Sequence, residues 1–112
     1  MKAVFHQSTD DPGLHDRVLG NVANLLDDET MELDSVALVA NSGGLELLLE
    51  DSPYRERVER LRERGVQFKQ CENTIEGTDI SESDLVSGVE LVSSGVGELT
   101  RLQSSRYAYI TP

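Results

Sequence analysis

The 112-residue chain is expected to fold as a three-layer α/β/α domain around a mainly parallel, five-stranded sheet. Three observations predict this. Strand-like and helix-like segments alternate along the whole chain, which is the pattern of βαβ units. Val36-Ala37-Leu38-Val39-Ala40 is a nearly continuous apolar run, as a central parallel strand covered on both faces requires. Capping and turn residues punctuate the junctions, and no linker or internal repeat divides the chain, so residues 1–112 read as one domain.

The first strand runs over about Lys2 to His6. Asp11-Pro12 then starts a helix, with an aspartate cap and proline at its first position. Leu14, Val18, Val22, Leu25 and Leu26 give that helix an apolar stripe, with His15 on its surface. Asp27, Asp28 and Glu29 crowd its end, where they oppose the helix dipole. The second strand is Ser35 to Ala40, and Asn41-Ser42-Gly43-Gly44 turns into a short helical piece from Leu45 to Leu49. Ser52-Pro53 opens the next helix, with Tyr54, Val58 and Leu61 inward and Gly65 as its stop. The third strand is Val66 to Cys71. Ser81 and Asp84 make a near capping box before a short turn of helix. A fourth strand covers Val89 to Val92, and Ser94-Gly95 begins a last helix with Val96, Leu99 and Leu102 on one side. Tyr107-Ala108-Tyr109-Ile110 closes the sheet.

Composition narrows the function classes. There are 21 acidic and 10 basic residues, a formal net charge of −11, and the only lysines are Lys2 and Lys69. Such a surface repels nucleic acid and anionic membranes, so neither is an expected partner. Excess acid with arginine favoured over lysine points to a high-salt interior, where a Debye length of about 3 Å screens self-repulsion. The amino terminus enters a strand directly and no apolar run approaches membrane-spanning length, so neither a signal peptide nor a transmembrane helix is expected. One cysteine makes no intrachain disulfide, which fits a reducing cytoplasm.

That cysteine, Cys71, carries the chemical signal. It ends the third strand, at the carboxyl edge where α/β folds place their sites, and Glu72-Asn73-Thr74 follows at once. By strand phase Val66 and Phe68 share one side, while Gln67, Lys69 and Cys71 share the more polar other side. A core-filling cysteine belongs with the apolar phase, although free cysteines as a class are often buried. His6 ends the first strand and emerges on the same edge, so a Cys–His pair is open to the fold. The Asn41-Ser42-Gly43-Gly44 turn lacks a Walker lysine, and no GxGxxG follows the first strand; the turn can still line a pocket. A receiver-type phosphoacceptor is poorly served, because the second and third strands end in Asn41 and Cys71 rather than aspartate. His6, His15 and Cys71 have no ligand spacing, so no metal or other cofactor is expected. The arginines between Arg55 and Arg64 alternate with Glu56, Glu59 and Glu63 as a solvated helix face, with pairs such as Glu56–Arg60. Glu72 and Glu76 would raise the Cys71 pKa if close; an arginine, a helix amino terminus or backbone N–H groups near Asn73, Thr74 and Gly95 would lower it.

The segment Cys71-Glu72-Asn73-Thr74, with Ile80 and Leu85 behind it, is followed by Val92-Ser93-Ser94-Gly95-Val96-Gly97-Glu98-Leu99, Gln103 and Tyr107-Ala108-Tyr109-Ile110-Thr111-Pro112. Together with the Phe5-His6 strand end and the Val39-Ala40-Asn41-Ser42-Gly43 turn, this pattern resembles the DsrE/DsrF-like family over essentially the whole chain. The resemblance implies an α/β/α subunit assembling as a homotrimer or homohexamer. It also implies a persulfide-carrying cysteine at the position of Cys71, which relays sulfur between donor and acceptor proteins. Arg106 stands where relatives often have glycine, which implies a differently built turn.

The resulting expectation is a sulfur carrier or sulfurtransferase with Cys71 as carrier, His6 as proton handler, and Asn41, Ser42, Gly43, Asn73 and Thr74 lining the pocket. The alternative is an oligomeric module that binds a small ligand or partner and holds Cys71 as a structural or redox-sensitive residue. A Cys–His hydrolase requires His6 within hydrogen-bond reach of Cys71.

Overall fold

In the computed structural model, which describes residues 1–112, the strands are β1 (Lys2–Gln7), β2 (Ser35–Ala40), β3 (Gln67–Cys71), β4 (Glu90–Val92) and β5 (Tyr107–Ile110). They form one sheet in the order β4-β3-β2-β1-β5, and every pairing is parallel. The helices are α1 (Pro12–Asp27), α2 (Leu45–Leu48), α3 (Arg55–Glu63), α4 (Glu72–Ile75) and α5 (Gly95–Ser104). Single 3₁₀ turns sit at Ser42–Gly44 and Glu82–Asp84.

Topology distributes the layers. From β1 to β4 the chain steps always in one direction along the sheet, so crossovers of one hand place α1, α2 and α3 on a single face. From β4 it must return across β3, β2 and β1 to reach β5, and that reversal puts α5 on the opposite face. The two faces are packed very differently. Alternate strand residues Ala3, Phe5, Val36, Leu38 and Phe68 meet α1, α2 and α3 in a buried cluster of 17 residues. Under α5 the buried cluster is only Val4, Ala37, Val39, Leu99 and Leu102, so apolar packing holds that helix at its carboxyl half.

Local signals act as the sequence predicts at most junctions. The Asp11 carboxylate accepts the Gly13 N–H at 2.8 Å and caps α1. Gly65, at φ 102°, supplies the left-handed residue that ends α3. The Ser81 N–H donates to the Asp84 carboxylate at 2.9 Å across the second 3₁₀ turn. The acidic end of α1 also has a structural explanation. Asp28 accepts both the N–H and the hydroxyl of Thr30, which stops the helix, and Asp27 pairs with Arg64 at 2.7 Å.

Three expectations are corrected. His15 is buried at 3% exposure, because its Nε2 reaches the Thr9 carbonyl at 2.6 Å and its ring edge meets Tyr54. Val96 is 64% exposed: the inward stripe of α5 is Gly95, Glu98, Leu99 and Leu102, an i, i+3, i+4, i+7 set that rotates Val96 outward. On α3 the intrahelical ion pair is Arg55–Glu59 rather than Glu56–Arg60, while Arg57 reaches Asp16 on α1.

Candidate functional site

The site lies along the carboxyl edge of the sheet on the α5 face. Cys71 ends β3 with φ −65° and ψ 120°, and the chain then turns directly into α4. The strand-phase reading holds: Lys69 and Cys71 share the α5 face and Phe68 the other. That face is not a wet one, however, and Cys71 is 5% exposed in the subunit.

Burial by itself pushes the Cys71 thiol up. The Thr74 hydroxyl and the N–H groups of Gly95, Thr74 and Asn73 outweigh it together, so the thiol lies below its ordinary value. The Ser42 N–H donates to Thr74 Oγ1 at 2.9 Å, leaving the hydroxyl's own proton for the sulfur. Ser42, which donates that N–H, adopts the left-handed φ of 49°. Glu72 and Glu76 are exposed and do not contribute to the shift.

Gly95 is where α5 touches this edge. A Cβ there would stand 3.1 Å from Asn41 Cβ and 3.4 Å from Cys71 Cβ, so the absence of a side chain lets the helix start approach both. Ser94 caps the helix by accepting the Gly97 N–H at 2.9 Å, and the free N–H of Gly95 is left to face the sulfur.

Asn41 stands between Cys71 and His6. Ala40 pairs with Gln70, which places Asn41 beside Cys71 just past the last rung of the β2–β3 ladder. Its Oδ1 meets His6 Nε2 at 2.9 Å, and His6 Nδ1 meets the Tyr109 hydroxyl at 2.6 Å. With a carboxamide oxygen as acceptor, Nε2 carries the neutral ring's proton and Nδ1 accepts from Tyr109. His6 and Cys71 are separated by β2, roughly 10 Å at two strand spacings, so no Cys–His hydrogen bond forms. The hydrolase geometry is therefore not present. Instead a hydrogen-bonded row runs from the exposed Tyr109 through His6 to Asn41, alongside the thiol.

Gly43 and Gly44 have a packing role. A Cβ on Gly43 would lie 2.6 Å from the Asp10 nitrogen, and one on Gly44 only 2.0 Å from the Gln7 carbonyl oxygen. The turn is thus pressed against the loop after β1, which fixes Asn41 and Ser42 over the site. The largest surface concavity, about 450 Å³, lies elsewhere, lined by Leu49, Glu50, Asp51, Arg55, Ile80 and Asp84. It is open and dominated by charged side chains, as a solvated groove is.

Sequence matching agrees with the architecture. The DsrE/DsrF-like family model matches residues 3–112. The chain belongs to the DsrE/DsrF-like family. A structure described as a protein of unknown function, MTH1491 from Methanobacterium thermoautotrophicum, is similar with a TM-score of 0.93 and 38% identity, over 99% of this chain and 98% of that one. A conserved protein of unknown function from Bacteroides thetaiotaomicron, BT1422, shares the fold with a TM-score of 0.72 at 13% identity, over 99% and 94% of the two chains. No curated protein matches. Within this DsrE-like domain the sheet is wholly parallel, not merely mainly so. Arg106 adopts φ 70°, the left-handed conformation that favours glycine.

Two features of the edge went unread in the sequence. Tyr109 reads in the sequence as part of the closing strand and of the family pattern, with no link to His6; its pairing with Val4 places it on the α5 face. Lys69 was noted for its phase with Cys71, but its partner Glu98, at 2.5 Å, was not.

Proposed function

We propose that this DsrE-like protein accepts and passes on sulfane sulfur as a persulfide on Cys71. The observation that carries the reading is the setting of the sulfur: Cys71 ends β3 at the start of α4, beside a Thr74 hydroxyl oriented by the Ser42 N–H at 2.9 Å and a glycine that lets the start of α5 approach, and these donors favour the thiolate despite burial. In the step proposed, the Cys71 thiolate attacks the outer sulfur of a donor persulfide. A new S–S bond forms at Cys71, the donor's S–S bond breaks, and the donor leaves as a thiolate, with no net oxidation. The same exchange in reverse hands the sulfur to an acceptor thiolate. The added sulfur extends the side chain by about 2 Å. His6 lies across Asn41, roughly 10 Å from the thiol, and its proposed part in handling the proton on the terminal sulfur is indirect, by way of the Asn41 carboxamide.

The proposal extends to assembly and setting. A homotrimer or homohexamer fits a subunit whose α5 face is covered by one helix and bordered by the exposed Val96 and Tyr109. No helix is long and apolar enough to cross a membrane. A reducing, salt-rich cytoplasm suits one free cysteine and a net charge of −11.

Burial of Cys71 favours a second reading, a ligand- or partner-binding module with a structural cysteine. Thiol alkylation separates the two. A carrier is modified in the native state, faster near neutral pH than a free cysteine would be, and Cys71→Ser abolishes the signal. Modification only after denaturation supports the module instead.

A further inference from the structure

Lys69 and Glu98 form the ion pair whose two side chains are both buried, 9% and 6% exposed, with Nζ and Oε2 2.5 Å apart. Glu98 also receives Arg101 through its other oxygen, and Glu90 lies 3.7 Å from Lys69. A buried ion pair seldom stabilises a fold more than apolar packing would, so the contribution of this one is sought in what it orients.

Their place in the fold supplies that explanation. Lys69 and Cys71 are two residues apart on one face of β3; Glu98 and Gly95 are one turn apart on the inward stripe of α5. The contacts Lys69–Glu98 and Cys71–Gly95 are therefore successive rungs between the same strand and the same helix. Nothing apolar secures the upper rung. Gly95 and Gly97 have no side chains, Val96 points to solvent, and the apolar contacts of α5 begin at Leu99. Glu98 is the first residue of the helix whose side chain is tied to the sheet.

We propose that Lys69 and Glu98 are positioning residues for the sulfur site, holding the amino-terminal turn of α5 so that Gly95 stays packed against Cys71. They touch neither donor nor acceptor, and their charges cancel. The assignment rests on Cys71 being the reactive sulfur. Arg101 on α5 and Glu90 on β4 also contact the pair, through Glu98 and Lys69 respectively, whereas Glu72 and Glu76 on α4 and His6 beyond Asn41 lie outside it.

The test is the paired substitution Lys69→Met with Glu98→Gln, which leaves net charge and approximate volume unchanged, compared with Lys69→Arg and wild type. Two quantities are read: the alkylation rate of the native thiol against pH, and hydrogen exchange at the Gly95 and Gly97 amides. In the double variant the rate profile should move to higher pH, with alkylation near neutrality slower by about threefold or more. Exchange at Gly95 and Gly97 should quicken by about tenfold, with Leu102 unchanged. Lys69→Arg should restore both. Superimposed profiles, or a shifted profile with unchanged exchange, would overturn the positioning role. A wild-type thiol silent in the native state would instead count against the carrier reading; the exchange data would still judge whether the pair holds the helix start.

Discussion

Thr74 Oγ1 takes the Ser42 N–H at 2.9 Å, so a residue from the turn after β2 decides which way the hydroxyl beside Cys71 can donate. The sulfur, on β3, is thus controlled from β2 and α5 as well as from its own helix start. Removing the hydroxyl should act on the thiol more than on the fold.

Thr74→Val keeps the shape and removes the donor. Its thiol pKa should rise, and alkylation at neutral pH should slow by about threefold to tenfold. A pH–rate profile on native protein checks this, and an unchanged profile would mean the cradle does not depend on Thr74.

The same depressed pKa makes a stability prediction. The folded state holds the thiolate better than the unfolded chain does, so this contribution is fully present above the unfolded thiol's pKa. It is lost as pH falls through the folded value. The stability difference between wild type and Cys71→Ser should therefore shift in favour of wild type as pH rises through that window, as followed by urea titration. A difference independent of pH would contradict a stabilised thiolate.

Glu98 follows the acidic counterpart. Burial raises its pKa, but the hydrogen bond and charge of Lys69, then Arg101, hold it below the usual carboxylate range. Its contribution is present above the ordinary glutamate value and disappears as pH falls through the folded one. Glu98→Ala leaves the buried Lys69 with only the more distant Glu90, at 3.7 Å, and should cost about 3 kcal/mol at neutral pH. Denaturant unfolding at two pH values measures both the loss and its fading in acid.

Much of this architecture was legible in the sequence because it depends on local rules. Ser35–Ala40 is apolar on both faces, Asp11-Pro12 caps a helix, and Gly65 stops one. Cys71 stood out by being single and by ending a strand, and Ser94-Gly95 marked the helix start that reaches it. The misreadings share one cause, a partner distant in sequence. His15 is buried because Tyr54, from the loop before α3, closes over its ring. Val96 was assigned inward because the stripe was traced through the first apolar residue, whereas the inward position is a glycine against Cys71 and Asn41. Lys69 and Glu98 meet only because α5 crosses back over β3 on its way to β5.

Arg106 offers an independent check on the turn before β5. A non-glycine residue at φ 70° carries a left-handed cost, so Arg106→Gly should stabilise the protein by about 0.5–1 kcal/mol. A lower melting temperature in that variant would show that the arginine side chain has a compensating role.

Salt should matter more than any single substitution. A charge of −11 on 112 residues repels itself, and screening in molar KCl should raise the unfolding midpoint well above that in dilute buffer. A midpoint that stays flat across that range would contradict adaptation to a high-salt interior.

The central claim is that Cys71 takes up sulfane sulfur, and intact-mass spectrometry after incubation with a small-molecule persulfide donor tests it most directly. The account predicts a gain of one sulfur atom, removed by a reductant and absent in Cys71→Ser. An unchanged mass in wild type, with the thiol verified as reduced beforehand, would contradict it.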